Sequence, residues 1–132
     1  MVGFTLFVPM KPQPKERPRL SRGHTFTPPK TVAAEKWIRA HFKREFPDKL
    51  PIEGVAIGVD ITAYFLRPKS RVKLKEKFHT IRPDADNIFK ITDSLNGIAW
   101  ADDCLIAELH VCKLYCDTLE EQGLLIICEA LC

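Results

Sequence analysis

The 132-residue sequence has no long apolar run, and its first cysteine is Cys104. No stretch approaches the roughly 20 apolar residues that a membrane-spanning helix needs, which predicts a soluble protein without membrane contacts. The N-terminus, MVGFTLFVPM, has no basic region before its apolar residues, so it is typical of a strand and not of a signal peptide. The 5 cysteines are odd in number and confined to the last third, which favours reduced thiols in a cytoplasm over a secreted disulfide framework.

Internal repeats and low-complexity tracts are also missing from the sequence. With 45% hydrophobic and 28% charged residues, the composition is that of a folded chain and not of a disordered one. A chain of this length can bury one core of ordinary density. We therefore predict a single domain over residues 1–132.

The net charge of +3 conceals an uneven distribution of charge along the chain. Basic residues crowd the stretch from Lys11 to Arg44, whereas acidic residues dominate from Asp102 to the end. Such an arrangement predicts a polyanionic partner for the first stretch and a bound cation near the second. For any single residue, a solvated surface charge remains the alternative.

Periodicity predicts the secondary structure in outline. Apolar residues recur at helical spacing from Thr31 to Phe46, and they alternate with polar ones from Val55 to Phe65, which is typical of a half-buried strand. The predicted elements are a strand at 3–8, a basic arm at 9–30 with a possible short strand at 24–28, a helix at 31–46, a strand at 54–66, a charged, mobile connection at 67–83, a helix at 84–96, and strands at 104–115 and 123–131. This order predicts an α+β domain of two layers, with a mixed sheet and both helices on one face.

Five aspartates and one lysine stand out in the segment RPDADNIFKITDSLNGIAWADD, residues 82–103. Asp84 is placed to cap the second helix, and Asp86 with Lys90 could be a plain ion pair one turn apart. If the strand after Asp103 packs beside this helix, however, three carboxylates would meet and repel one another. Such a group is what Mg²⁺ or Mn²⁺ binds, so the segment predicts a metal site.

A carboxylate-bound metal beside a lysine and a basic arm suits the hydrolysis of phosphodiesters. The arm would contact the backbone of a nucleic acid without reading its sequence. The candidate DNA-binding residues are those of the proline-rich arm and its end: Lys15, Arg17, Arg19, Arg22 and Lys30.

The segments RPDADN, Lys90 and DSLNGIAWADD, together with KPQPKERPRLSRGHTFTPPKT upstream, resemble the RusA family of Holliday junction resolvases, particularly its phage-borne members. The resemblance implies a RusA-like fold and a homodimeric endonuclease that makes paired nicks across a four-way DNA junction. It also implies dependence on Mg²⁺, with Mn²⁺ as a substitute and no small-molecule cofactor, in a bacterial cytoplasm.

Carried over by motif, the resemblance makes Asp84, Asp86 and Asp103 the metal ligands and Lys90 the catalytic lysine. From the residues alone, Asn87 either orients one of these carboxylates through its amide or is merely tolerated in the first turn of the helix, and Asp102 is a further candidate for orienting them. Asp93 is either a residue that supports the ligands or a surface residue near the end of the helix. One departure is that the interval from Lys90 to Asp93 is a residue shorter than in the family's usual helix.

Two other functions are compatible with the residues alone. One is a Mg²⁺-dependent nuclease for another branched or flap DNA, which would use the same chemistry. The other is a DNA-binding module that uses its basic arm without cleaving, in which case the acidic cluster would have no purpose.

Overall fold

The computed structural model describes residues 2–71 and 75–131, which form one mixed sheet, one small hairpin and two α-helices. The elements are β1 (Gly3–Pro9), β2 (Arg19–Ser21), β3 (His24–Phe26), α1 (Pro29–Glu45), β4 (Ile57–Leu66), α2 (Ala85–Thr92), β5 (Ile106–Cys116) and β6 (Gly123–Ala130). The main sheet has the order β1-β6-β4-β5, with β4 and β5 parallel and the other pairs antiparallel. The predicted α+β fold with a mixed sheet and two helices is therefore confirmed.

The alternation of apolar residues along the strands places the core between the sheet and the helices. In β4, Ile57, Val59 and Ile61 are buried, while Asp60 between them is exposed. Their side chains belong to one cluster with buried residues of the other strands and of both helices, among them Leu6, Ile38, Phe42, Ile88, Ile91, Trp100, Leu124 and Ile126. Burial of this apolar surface supplies the main driving force for folding and holds α2 against the sheet.

The strands differ from the prediction in where they begin and in their number. The strand predicted from residue 54 begins at Ile57, where β4 meets both Ala130 and Ile106, and Val55 is exposed instead of facing the core. The arm contains an additional strand, β2, which pairs with β3 through a turn at Arg22 and Gly23, both with positive φ. The prolines before this turn favoured an irregular arm, so the sequence did not predict the backbone pairing of β2 with β3.

Part of the connection between β4 and α2 contacts β5 through its backbone. The structure describes the connection from residue 75 onward, and there Phe78 forms an antiparallel bridge with Leu114 of β5. The His79 amide donates to Lys113 O at 3.0 Å, and the Tyr115 amide donates to Lys77 O at 3.0 Å. These contacts attach this part of the connection to β5, while its expected mobility stays a prediction; Val72, Lys73 and Leu74 lie outside the described residues.

The second predicted helix is shorter than its periodicity indicated. The α-helix ends at Thr92, and a 3₁₀ turn over Asp93–Leu95 follows. The residues on its inner side, Ile88, Ile91, Thr92 and Leu95, are nevertheless all buried.

None of the helices within residues 2–71 and 75–131 has the length and apolar character needed to cross a membrane.

Candidate active site

The start of α2 directs its carboxylates outward. Asp84 precedes the first turn in extended geometry, and its carbonyl accepts hydrogen bonds from the amides of Asn87 and Ile88, each at 3.1 Å. The Asp84 side chain makes no capping hydrogen bond, so the prediction that it caps the helix is wrong for the carboxylate. This carboxylate is exposed and is not committed to the helix that it begins.

Asp84 and Asp86 line an open cleft of about 730 Å³ between the N-terminal end of α2 and the proline-rich arm. Lys90 lies one helical turn beyond Asp86, with its Nζ 3.7 Å from Asp86 Oδ2, as the spacing predicted. The remaining lining residues are Asn87 of α2 and the arm residues Pro14, Lys15, Glu16, Arg17, Pro18 and Arg19. The cleft thus combines three carboxylates, one lysine of α2 and three cations of the arm. One of the carboxylates, Glu16, already pairs with Arg19 at 3.2 Å.

The arm is held in place by contacts with α1. The Glu16 amide donates to Thr31 Oγ1 at 3.1 Å, and Trp37 Nε1 donates to the carbonyl of Pro9 at 2.8 Å. Lys15 Nζ lies 3.7 Å from a carboxylate oxygen of Glu35, which is also on α1. These contacts keep the backbone of the arm facing α2, although its prolines exclude most backbone pairing.

The predicted DNA-binding residues fall into two groups. Lys15, Arg17 and Arg19 lie in the cleft with Asp84 and Asp86. Arg22 lies at the exposed turn between β2 and β3, and Lys30 lies in the first turn of α1, so neither lines this cleft.

Asp103 lies beside a buried tryptophan and a second aspartate. Trp100 Nε1 donates to Asp103 Oδ1 at 2.7 Å, and the Trp100 side chain is fully buried in the core. Burial raises the pKa of Asp93 to about 6, and the adjacent Asp103 adds to this rise through a hydrogen bond and its negative charge. Asp93 Oδ1 is buried and has no hydrogen-bond partner among the described residues.

Asp102 has a different role in the local structure. It precedes the 3₁₀ turn Asp103–Leu105, and its Oδ1 accepts from the Cys104 amide at 3.3 Å. Its neighbour Asp103 points instead to Trp100. The structure therefore gives Asp102 a capping contact, while its predicted part in orienting metal ligands stays a prediction.

The predicted metal ligands are divided between two acidic groups. Asp84 and Asp86 face the cleft, whereas Asp103 pairs with Asp93 and is not among the lining residues. Within residues 2–71 and 75–131, no three His, Cys, Asp or Glu side chains are grouped closely enough to hold a metal ion. Lys15 connects the two groups, since it lines the cleft and its charge lowers the pKa of Asp93.

The chemistry of these residues nevertheless fits a divalent cation. All the donors are hard carboxylate oxygens, the kind of ligand that Mg²⁺ and Mn²⁺ prefer. The two half-buried carboxylates of Asp93 and Asp103 repel each other, and one oxygen of Asp93 is left without a partner. A cation nearby would relieve both the repulsion and the unmet hydrogen-bonding capacity.

The contact between Asp93 and Asp103 is the feature of the site that the sequence did not predict. The sequence left open whether Asp93 supports the metal ligands or is a surface residue near the end of the helix. The two residues are ten apart and belong to different turns, so no local spacing predicts that they meet.

A carboxylate-lined cleft with a lysine, facing an arm of cations, is typical of enzymes that hydrolyse the phosphodiesters of nucleic acids. The sequence model of the family Endodeoxyribonuclease RusA matches residues 9–121. This chain therefore belongs to the RusA endodeoxyribonuclease family, which confirms the resemblance recognised in its motifs. Among curated proteins, no match was found.

Family membership establishes the class of reaction. RusA enzymes are endodeoxyribonucleases, that is, hydrolases that cut within a DNA strand, and the family acts on branched DNA junctions. The matched residues include the arm, α2 and the Asp93–Asp103 pair, so the whole candidate site lies inside the family's domain.

Proposed function

We propose that this protein is a Mg²⁺-dependent endodeoxyribonuclease that resolves four-way DNA junctions by paired phosphodiester hydrolysis during recombination or repair. The observation that carries the proposal is the cleft in which Asp84, Asp86 and Lys90 face the cationic arm. Membership of a junction-cleaving family supports the same substrate.

In this proposal Asp84, Asp86 and Asp103 hold the metal ion, which would supply an activated water and stabilise the charge that develops on the phosphate. Asp84 is available because its side chain is not used as a helix cap. Asp103 is oriented by the indole N–H of Trp100, and such a partner restricts the direction in which a carboxylate can bind. Asn87, which lines the cleft, would orient the neighbouring carboxylates through its amide.

Lys90 would contact the scissile phosphate or the water that attacks it. In the structure its ammonium is paired with Asp86 at 3.7 Å, and both side chains are largely exposed, so the pair is weak and easily exchanged. If Asp86 held a cation, the ammonium of Lys90 would be free to stabilise negative charge in the transition state.

Lys15, Arg17 and Arg19 would hold the DNA backbone next to the carboxylates. Each lies in the cleft, and Arg17 and Arg19 are exposed. Such phosphate contacts position the substrate without reading its sequence. Two copies of the chain in a symmetric dimer would present two clefts, which paired cuts across a four-way junction require.

The test is cleavage of a labelled synthetic four-way junction in Mg²⁺, compared with a linear duplex of the same arm sequence. We expect the wild type to cut the junction and the Asp86→Asn and Asp103→Asn variants to lose cleavage while still binding it. Asp48→Asn is a matched control, since Asp48 is exposed in the turn after α1 and does not line the cleft. An intact junction with the wild type, or equal cleavage by the Asp86 and Asp103 variants, would refute the proposal.

Further substrates separate the remaining alternatives. If another branched DNA is the main substrate, then flap, three-way or replication-fork DNA should be cut at least as fast as the four-way junction. A non-catalytic DNA-binding module would bind every branched DNA and cut none in either Mg²⁺ or Mn²⁺.

A further inference from the structure

The direction of the Asp84 carboxylate depends on the backbone that leads into α2. Its side chain makes no capping hydrogen bond, and the capping interactions come from its carbonyl, which accepts from Asn87 and Ile88. Something must therefore hold the preceding segment, residues 81–83, if Asp84 and Asp86 are to keep a constant position.

Lys113 holds this segment from β5. Its Nζ donates to the carbonyl of Ile81 at 2.7 Å and to the carbonyl of Pro83 at 2.7 Å. Both are short hydrogen bonds from a charged donor, which are stronger than those between neutral groups. The second acceptor, Pro83, directly precedes Asp84.

The main chain of Lys113 binds the same connection. Its carbonyl accepts from the amide of His79 at 3.0 Å, two residues before Ile81. One half-buried residue thus holds the connection at three points, within a strand that also contacts α2. These bonds are attached to a strand of the main sheet, since β5 pairs with β4 from Glu108 to Cys116 without interruption.

We propose that Lys113 is a positioning residue that fixes the entry of α2 and thereby orients Asp84 and Asp86 for metal binding. The proposal rests on the proposed function insofar as it treats these two carboxylates as ligands. Lys113 itself touches neither the metal nor the DNA in this account. Its ammonium acts by donating to the carbonyls of Ile81 and Pro83. A side chain without donors cannot make these hydrogen bonds.

The experiment compares the wild type with Lys113→Met, which keeps the length of the side chain and removes the donors. Two quantities are measured without DNA: hydrogen exchange of the Asn87 and Ile88 amides by NMR, and binding of Mn²⁺ alone by electron paramagnetic resonance. We expect exchange at both amides to accelerate about tenfold or more, as for a locally opened segment. Affinity for Mn²⁺ should fall about tenfold, as when a group that orients metal ligands is lost.

The matched control is Arg67→Met. Arg67 also donates to a backbone carbonyl of this connection, that of Glu76 at 2.7 Å, and it pairs with Asp117 at 3.0 Å, but these contacts lie away from Asp84. We expect this variant to lose stability while keeping its Mn²⁺ affinity and the exchange rates of Asn87 and Ile88. Equal effects of the two variants would reduce Lys113 to a general stabilising residue and overturn the proposal.

Lys113→Arg provides the second variant, because it keeps a charged donor and folds even if Lys113→Met does not. It should restore most of the protection of the Asn87 and Ile88 amides and most of the Mn²⁺ affinity. Protection equal to wild type in Lys113→Met would refute the positioning role. Since amide exchange needs neither metal nor DNA, this result is independent of whether the wild type cuts a junction.

Discussion

The two acidic groups of the site use the same side chain in opposite surroundings. Asp84 and Asp86 are exposed on the cleft, beside Lys90 and the cations of the arm. Asp93 and Asp103 are half-buried against each other. The first group faces cationic side chains and solvent, whereas Asp103 in the second accepts from an indole N–H, and one oxygen of Asp93 has no hydrogen-bond partner in the described part of the chain.

The two groups therefore differ in the free-energy cost of keeping their carboxylates ionised. Exposed carboxylates paired with lysine cost little and can exchange partners, which suits ligands that meet an incoming substrate. Half-buried carboxylates in contact carry a desolvation and repulsion penalty, visible in the raised pKa of Asp93. A proton or a cation can relieve such a penalty, so we expect the second group to respond more strongly than the first to pH and to added metal.

The largest effect is expected from Lys90→Met, which removes the ammonium of the exposed group. Loss of one group that stabilises charge in the transition state should lower the rate of junction cleavage about 100- to 1000-fold. Junction binding in Ca²⁺ should change little, because the arm cations remain in the cleft. Single-turnover cleavage and gel-shift titration measure the two quantities. Lys69→Met, which alters an exposed lysine outside the cleft, is the control, and similar rates for the two variants would contradict the prediction.

The next effect concerns the support of the half-buried group. Trp100→Phe removes the N–H that binds Asp103 and leaves a gap in the core, so the free energy of unfolding should fall by about 2–4 kcal/mol. Urea denaturation measures this quantity. Trp37→Phe is the matched control, since the Trp37 N–H also donates a hydrogen bond but its side chain is 47% exposed. If Trp100→Phe lowered the free energy of unfolding no more than Trp37→Phe does, the buried contact would contribute no more to stability than the exposed one.

A smaller effect of opposite sign is expected from Asp93→Asn in EDTA. Because the folded pKa of Asp93 is raised to about 6, the folded state binds a proton that the unfolded state has released. Stability of the wild type should therefore fall as the pH rises from about 4 to about 6. After allowance for solvent screening of this partly exposed carboxyl, the variant should be more stable by about 1 kcal/mol at pH 7.5.

Thermal and urea unfolding at pH 4, 5, 6 and 7.5 test this expectation. Asp86→Asn is the control within the exposed group, and it should lose only the weak ion pair with Lys90. If the free energy of unfolding of the wild type rose over this pH range relative to that of Asp93→Asn, the prediction would be contradicted.

The smallest effect is expected from Lys15→Met. Lys15 lines the cleft with Asp84 and Asp86, and its charge also acts on Asp93. Removing one phosphate contact should reduce the slope of log Kd against log salt concentration by about 0.9 for junction DNA. Loss of its charge should also raise the pKa of Asp93 further, since Lys15 lowers it in the folded protein. Salt titrations compare this variant with Lys77→Met, an exposed lysine outside the cleft, and an unchanged slope in Lys15→Met would remove Lys15 from the DNA contacts.

Much of the fold was predictable because its signals are local. Alternation along β4 and helical spacing along α1 arise from the geometry of a few successive residues, and both elements were found near their predicted positions. The errors lie at the boundaries: β4 begins at Ile57, and α2 ends at Thr92. A neighbouring strand decides where pairing starts, and local periodicity does not contain that information.

The site shows the same division. The spacing of Asp86 and Lys90 predicts their ion pair, because residues four apart on a helix are neighbours whatever the rest of the chain does. The cap prediction for Asp84 placed the residue correctly but not its side chain. Nothing local distinguishes a carboxylate that caps an amide from one that faces an open cleft.

The residue types and their order were sufficient to indicate an α+β fold, a carboxylate-and-lysine segment opposite a basic arm, and the family to which the chain belongs. Folding in three dimensions was needed to bring Lys15 to both acidic groups, to join Asp93 with Asp103, and to place Lys113 beneath the entry of α2. These contacts join residues whose proximity depends on how strands and helices pack around a common core. Periodicity reflects bonds along the chain, whereas such contacts are chosen by the packing of the whole domain.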